Sequence, residues 1–249
     1  MLQERIVPGK PALLVEGQKR YLVLTDLHLG FESNLAANEI FIGKNTSLTE
    51  TIEEISEIIT SKKPDIVILL GDVKSSIKGI SRAEWREIPE FFSKIKEICD
   101  IILIPGNHDS SIQRLVPEGI SLISSTGMVE EKTLFTHGHT MPSENFASVD
   151  KIIMGHIHPV FFQEDSIVNG QRVWISLKTK KENIFPSQSG EIEITIVPSF
   201  NKYFYATSKK KYKRSISPII EKIKEVSFAR IITLDGTIIG DESLLDHVI

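Results

Sequence analysis

Five short polar clusters carry six of the chain's seven histidines: Thr25-Asp26-Leu27-His28, Gly71-Asp72, Gly106-Asn107-His108-Asp109, His137-Gly138-His139 and Gly155-His156-Ile157-His158. One histidine in a soluble protein is ordinarily just a hydrogen-bonding side chain. Six of them interleaved with carboxylates, each cluster sitting where an apolar run ends, imply a metal site. Neutral imidazole with carboxylate and amide oxygen suits Mn, Fe or Zn, and no cluster offers a thiolate. The candidate ligands outnumber the needs of one ion, so the expectation is a two-metal centre.

Rigid elements must bring these clusters together. Runs from Tyr21 to Thr25, Asp65 to Leu70 and Ile101 to Ile104 are apolar on both faces, as strands of a buried parallel sheet require. Each ends at a cluster, and in open α/β sheets ligands bind in the crevice past the carboxyl ends of strands. Between these runs, Thr49 to Lys62 reads as a helix, with Ile52, Ile55, Ile58 and Ile59 on one face and Ser47-x-x-Glu50 as a nearby capping box. Ser81 to Ile98 reads as a second helix, kinked or broken at Pro89. The second half is strand-rich. Thr133 to Phe135 and Lys151 to Met154 run into His137 and His156, and Arg172 to Ile175 follows. Glu191 to Ile196 alternates charged and apolar residues, predicting one solvated face. A short helix around Ser217 to Val226 and a strand from Phe228 to Leu234, turning at Asp235-Gly236, complete the pattern. Strand alternation would let Asp26 and His28 grip one ion if the chain stays extended, and His156 and His158 share that spacing. Gly71, Gly106, Gly138 and Gly155 permit tight turns beside the ligands. With no repeat or linker, residues 1–249 read as one domain.

The 249 residues carry a net charge of −4, which argues against coating nucleic acid through bulk charge. A local basic patch exists at Lys209, Lys210, Lys211, Lys213 and Arg214, with a weaker one at Lys178, Lys180 and Lys181. The single cysteine, Cys99, excludes an internal disulfide and fits a reducing compartment. No apolar run is long enough for a membrane span and no signal segment opens the chain, so a cytoplasmic location with no membrane partner is expected. Trp85, Trp174, Phe91 and Phe92 are core candidates, and His247 has no expected role.

The ordered set Asp-x-His, Gly-Asp, Gly-Asn-His-Asp, His and Gly-His-x-His, over roughly residues 20 to 160, resembles the calcineurin-like metallophosphoesterase superfamily. Phe135 to His139 and Met154 to Pro159 are similar to its small SbcD-related, ICC-like branch, as is, more weakly, the stretch from Val197 to Gly236. The resemblance implies an α/β sandwich of two mixed β-sheets flanked by helices, with the metal site at the carboxyl ends of the strands. It implies that Asp26, His28 and His158 hold one ion, that Asn107, His137 and His156 hold the other, and that Asp72 bridges both. Two divalent ions, foremost Mn, with Fe, Zn, Ni or Mg as others, would acidify a shared water and position a phosphate. His108 is the non-ligand histidine, a proton donor to the departing alkoxide. His139 would stand beside the ligands.

Many relatives carry Asp or His three residues after the bridging Asp, in support of the catalytic histidine or the substrate. Here that position is Ser75, and Asp109 or a water would have to substitute. Lys74 reads as a phosphate contact or, more commonly for a lysine, as a surface residue. The leading expectation is a Mn-dependent phosphodiesterase or nuclease acting on DNA. Its rivals are a small-molecule nucleotide phosphodiesterase or phosphatase, and a binding scaffold such as the retromer's phosphoesterase-like subunit. Phe31, Phe41 and Ile42, in the loop from Gly30 to Asn45, would stack on a base or anchor the loop. Only about ninety residues follow Gly-His-x-His, too few for the DNA and ATPase equipment of full SbcD-type nucleases, so no obligate ATPase partner is expected. The sequence sets no oligomeric state.

Overall fold

Side-chain alternation sorts the strands into two sheets with three apolar layers. In strand β3 (Arg20–Leu24), Tyr21 and Val23 face one way and Leu22 and Leu24 the other, and all four are buried. The computed structural model describes residues 2–32, 46–203 and 217–248. Its first sheet is built from β1 (Gln3–Ile6), β2 (Leu13–Glu16), β3, β4 (Ile66–Leu69), β5 (Asp100–Leu103) and β6 (Ser121–Leu122), in that order. β3 to β6 run parallel, and β1 and β2 are added antiparallel.

The second sheet contains β7 (Met128–Glu130), β8 (Thr133–Thr136), β9 (Lys151–Met154), β10 (Val173–Lys180), β11 (Glu191–Ile196), β12 (Val226–Thr233) and β13 (Ile238–Gly240). Its order is β13-β12-β10-β11-β9-β8-β7, with β8, β9 and β11 parallel and the rest antiparallel. Both sheets are therefore mixed. Between them lie Val15, Val23, Ile68, Phe135, Ile153 and Trp174.

Helices cover the outer face of the first sheet. Ile55, Ile58 and Ile59 of α1 (Thr46–Lys62) and Ile88, Phe91, Phe92 and Ile95 of α2 (Arg82–Lys96) pack on Leu22, Val67 and Leu103. Burial of each such side chain contributes about 1.5–3 kcal/mol, which makes this layer a firm base for loops at the strand ends. On the far face of the second sheet, Ile184, Phe185 and Ile219 of α3 (Pro218–Lys222) pack on Leu134, Ile152 and Ile194.

Several local expectations need correction. Pro89 lies inside α2 without ending it. Ser47 lies within the first turn of α1, so the Ser47–Glu50 pair does not precede that helix. Trp85 is not core: it is 45% exposed, with the Arg114 guanidinium 5.2 Å from its ring centroid. β11 is not solvated along one whole face, because Thr195 is buried and Glu193 meets Lys151 at 2.7 Å. Cys99 is buried in the turn after α2. Among the described residues, no helix is long and apolar enough to cross a membrane.

Candidate metal centre

The loops after β3, β4, β5, β8 and β9 meet at one end of the sandwich and are stitched together by their backbones. Asp26 N–H donates to Gly71 O (3.1 Å), His28 N–H to Asp72 O (2.9 Å) and Gly155 N–H to His137 O (3.1 Å). This stitching brings together side chains that are far apart in sequence. Asp26, His28 and His158 form one group whose potential ligand atoms all lie within 4.8 Å of one another, Asp72, His137 and His156 form another, and His28, Asp72 and His108 form a third between them. In the first group Nε2 of His158 is 2.9 Å and Nε2 of His28 is 4.0 Å from Oδ1 of Asp26. In the second, Nε2 of His137 is 3.3 Å from both Oδ2 of Asp72 and Oδ1 of Asn107. Oδ2 of Asp72 also lies 3.9 Å from Nε2 of His28, so one carboxylate oxygen faces both groups.

Convergence does not come from strand alternation. Asp26 (φ 56°), His28 (44°), Asp72 (51°), His156 (71°) and His158 (50°) all adopt left-handed backbone, which is uncommon outside glycine. Among the described residues only eight non-glycine positions do so, and five are these. Such conformations are costly and persist where surrounding structure over-determines them, typically at functional sites. Two glycines serve close approach rather than a special φ. A Cβ on Gly106 would stand 2.2 Å from Oδ1 of Asp72, and one on Gly155 would stand 2.0 Å from Oγ1 of Thr25.

The electrostatics suit cations. Asp26 is fully buried, and imidazole nitrogens rather than backbone donors face its Oδ1. Burial opposes its ionisation, but His158 and then His137 outweigh this and hold its carboxyl at about 2. The carboxyl of Asp72 is likewise pulled below the usual range, as His137 and His28 outweigh burial. Burial, reinforced by His158, lowers His28 to about 3, and burial with His137 lowers His156 to about 4. Those rings are neutral near pH 7, the form that ligates. A buried carboxylate oxygen facing convergent imidazole nitrogens is a donor set that a divalent ion fits. Groups of this kind, with Asp72 Oδ2 facing both, suit a dinuclear divalent site.

The family model for calcineurin-like phosphoesterase matches residues 19–180. The chain belongs to that family. It is a metal-dependent phosphoesterase hydrolase. Among solved structures, the fold is similar to Pseudomonas putida nuclease MPE, with 15% identity and a TM-score of 0.53, over 94% of this chain and 98% of that one. YfcE, a phosphoesterase from E. coli, matches at 15% identity over 90% of this chain and 98% of that one, with a TM-score of 0.41 too low to carry weight.

Within this phosphoesterase fold, the departure at Ser75 acquires a structural meaning. The backbone carbonyl of Ser75 lies 2.5 Å from Nδ1 of His108, and the His108 N–H donates to Oδ1 of Asp72 at 2.8 Å. Asp109 is buried, and its carboxylate takes the N–H groups of Gly106 (2.9 Å) and Lys74 (3.1 Å), organising the two loops. Lys74 is not a surface residue. It is fully buried, and its Nζ binds the carbonyls of Ser76 and Gly79. The His139 ring centroid is 5.2 Å from that of His137 and 6.1 Å from that of His156, beside the second group.

A segment that the polar clusters did not flag buttresses the first group. Ser199 Oγ donates to Asp26 O (3.0 Å), Asn201 Nδ2 to Leu27 O (2.9 Å) and Phe200 N–H to Thr25 O (2.9 Å). Arg172 Nη1 in turn donates to Ser199 O and Phe200 O. The only sequence signal was the weak likeness over the stretch from Val197 to Gly236.

Phe31 is buried and stacked on Tyr203, with centroids 6.0 Å apart, so it anchors its loop rather than presenting a free ring. Lys180 pairs with Glu225 at 3.0 Å and Lys181 with Asp150 at 3.2 Å, which neutralises much of the weaker basic patch. Lys209, Lys210, Lys211, Lys213, Arg214, Phe41 and Ile42 lie outside the described residues. His247 Nδ1 is 2.9 Å from Phe162 O, remote in sequence from the clusters.

Proposed function

We propose that this chain, as a single metallophosphoesterase domain, hydrolyses phosphodiesters and acts on DNA. Asp26, His28 and His158 would hold one divalent ion, Asn107, His137 and His156 the other, and Asp72 would serve both. The observation that carries this assignment is the position of Asp72 Oδ2, 3.3 Å from His137 Nε2 and 3.9 Å from His28 Nε2. The mixture of imidazole, carboxylate and amide oxygen suits Mn, Fe or Zn, and Mn is the ion we propose.

Bound there, the ions supply an acidified water and offset charge growing on the phosphate. The protein's own groups do the rest. A carbonyl can only accept, so the contact with Ser75 O puts a proton on Nδ1 of His108. Nε2, 3.9 Å from Asp72 Oδ2, is then the nitrogen that, in the doubly protonated ring, gives its proton to the departing alkoxide and leaves the neutral Nδ1–H ring behind. Asp109 keeps the Gly106 and Lys74 segments in register while that transfer occurs.

The choice of diester and of DNA rests on the residue-level likeness to the SbcD-related branch and on the basic run at 209–214. A small-molecule nucleotide diester is the second reading, favoured by the acid partners of Lys180 and Lys181. The buried thiol of Cys99 suits a reducing, cytoplasmic setting. With Mn supplied, plasmid nicking compared with hydrolysis of cyclic and linear nucleotide diesters tests the substrate. Nicking at the higher kcat/KM supports DNA, and nucleotide hydrolysis without nicking overturns it.

A further inference from the structure

The carbonyl that meets His108 belongs to a segment with an unusual buttress. Glu84, at the third position of α2, is fully buried. As the acidic member of a capping box it accepts the Ser81 N–H on Oε2 (2.6 Å), while Ser81 Oγ accepts the Glu84 N–H (3.2 Å). A capping box asks no more of that residue. Here Oε1 also accepts the N–H groups of Ser75 (3.0 Å) and Ser76 (2.6 Å). The carboxylate therefore clamps the α2 N-terminus to the loop after β4.

The clamp is built into the site from both sides. A Cβ on Gly30, two residues beyond His28, would stand 2.9 Å from Cγ of Glu84, so the ligand loop closes directly over it. Leu29 O accepts the Ser75 N–H at 3.1 Å, joining that same loop to Ser75. Lys74 Nζ binds the carbonyls of Ser76 and Gly79 on the other side of the segment. A buried carboxylate accepting several N–H groups is rigid, and it favours one orientation of the peptide it holds.

We infer that Glu84 is a positioning residue for His108, fixing the Ser75 carbonyl that orients the imidazole. It performs from α2 the task that an acidic or histidine side chain at position 75 performs in many relatives. This rests on the reading of His108 as proton donor. Reach, more than charge, is what the clamp requires. Asp at this position keeps a carboxylate beside the helix N-terminus but is one methylene too short to join Ser81 to Ser75 and Ser76. Gln keeps the length, and with its single oxygen toward Ser75 and Ser76 it keeps the clamp, while its amide nitrogen gives up the Ser81 contact and lowers Tm.

The test measures Glu84→Asp, Glu84→Gln, His108→Ala and the double variant Glu84→Asp/His108→Ala, with metal content and Tm for each. The substrates are bis-p-nitrophenyl phosphate and a dinucleoside monophosphate, whose alkoxide leaves poorly. Glu84→Asp should keep both ions and lose about 10-fold to 100-fold in kcat on the dinucleotide, with little change on the nitrophenyl diester. Glu84→Gln should retain most of the rate, and the double variant should be no slower than His108→Ala alone. Additive losses in the double variant, equal losses on both substrates, or damage from Gln but not from Asp would each overturn the inference. If His108→Ala itself shows no leaving-group dependence, the proton-donor reading fails first and this inference falls with it.

Discussion

Nε2 of His137 lies 3.3 Å from Oδ2 of Asp72, and in the metal-free chain the two form an ion pair where the two ligand groups meet. Burial opposes protonation of His137, but Asp72, then Asp26, push its pKa up to about 9 from 6.5. A raised histidine stabilises the metal-free fold fully below about pH 6.5, and that contribution is lost as pH rises through about 9. A metal ion needs the neutral ring, so uptake at pH 7 must expel this proton. Apparent metal affinity should rise with pH up to about 9 and flatten above it. Calorimetric titration in buffers of different ionisation enthalpy counts the protons released, and uptake without release would contradict the pairing.

His108→Ala should separate metal binding from catalysis. Both ions should stay, because the proposed ligand set does not include His108, whose Nδ1 meets the Ser75 carbonyl. The rate on alkyl or nucleoside leaving groups falls on the order of 10²–10⁴-fold, and much less on p-nitrophenyl esters, which need little protonation. Equal losses on both would mean that His108 positions phosphate instead.

Gly155→Ala should weaken the first ligand group by sterics alone. The added methyl stands 2.0 Å from Thr25 Oγ1 and 2.9 Å from Asp26 Oδ2. Overpacking of this kind costs about 1–3 kcal/mol, and here the strain falls directly on a ligand. A lower Tm together with loss of metal is expected. Wild-type metal content and Tm would show that the two loops are less closely apposed.

Much of this centre is legible in the residue types. The apolar runs from Tyr21, Asp65, Ile101 and Lys151 became β3, β4, β5 and β9, and the clusters lie past their ends because a both-face apolar run has only one way to be buried. The manner of convergence was not legible. Alternation predicts an extended Asp26–His28 pair, whereas both residues are left-handed; Asp and His adopt that conformation more often than most residues, but too rarely for their presence to announce it. Lys74 was expected at the surface because lysines usually are. It is buried because the carbonyls of Ser76 and Gly79 take the place of water. Glu84 is invisible for another reason. Its capping box is written in Ser81-x-x-Glu84, but its grip on Ser75 and Ser76 depends on how α2 docks.

Replacing Lys209, Lys210, Lys211, Lys213 and Arg214 with Gln or Ser should weaken DNA binding and flatten its salt dependence, by roughly one unit of slope for each phosphate no longer neutralised. Hydrolysis of a small diester should survive, since none of the proposed ligands is among them. Unchanged DNA affinity and salt slope would shift the assignment to a small-molecule diesterase.

The central claim is that one carboxylate joins two ions in a single catalytic unit. Elemental analysis of the Mn-loaded protein and of Asp72→Asn, alongside turnover of bis-p-nitrophenyl phosphate, tests it most directly. Two ions per wild-type chain are predicted, with metal loosened at both sites and activity abolished in the variant, because Asp72 Oδ2 faces both ligand groups. An Asp72→Asn protein that keeps two ions and turns over at near the wild-type rate would contradict the account.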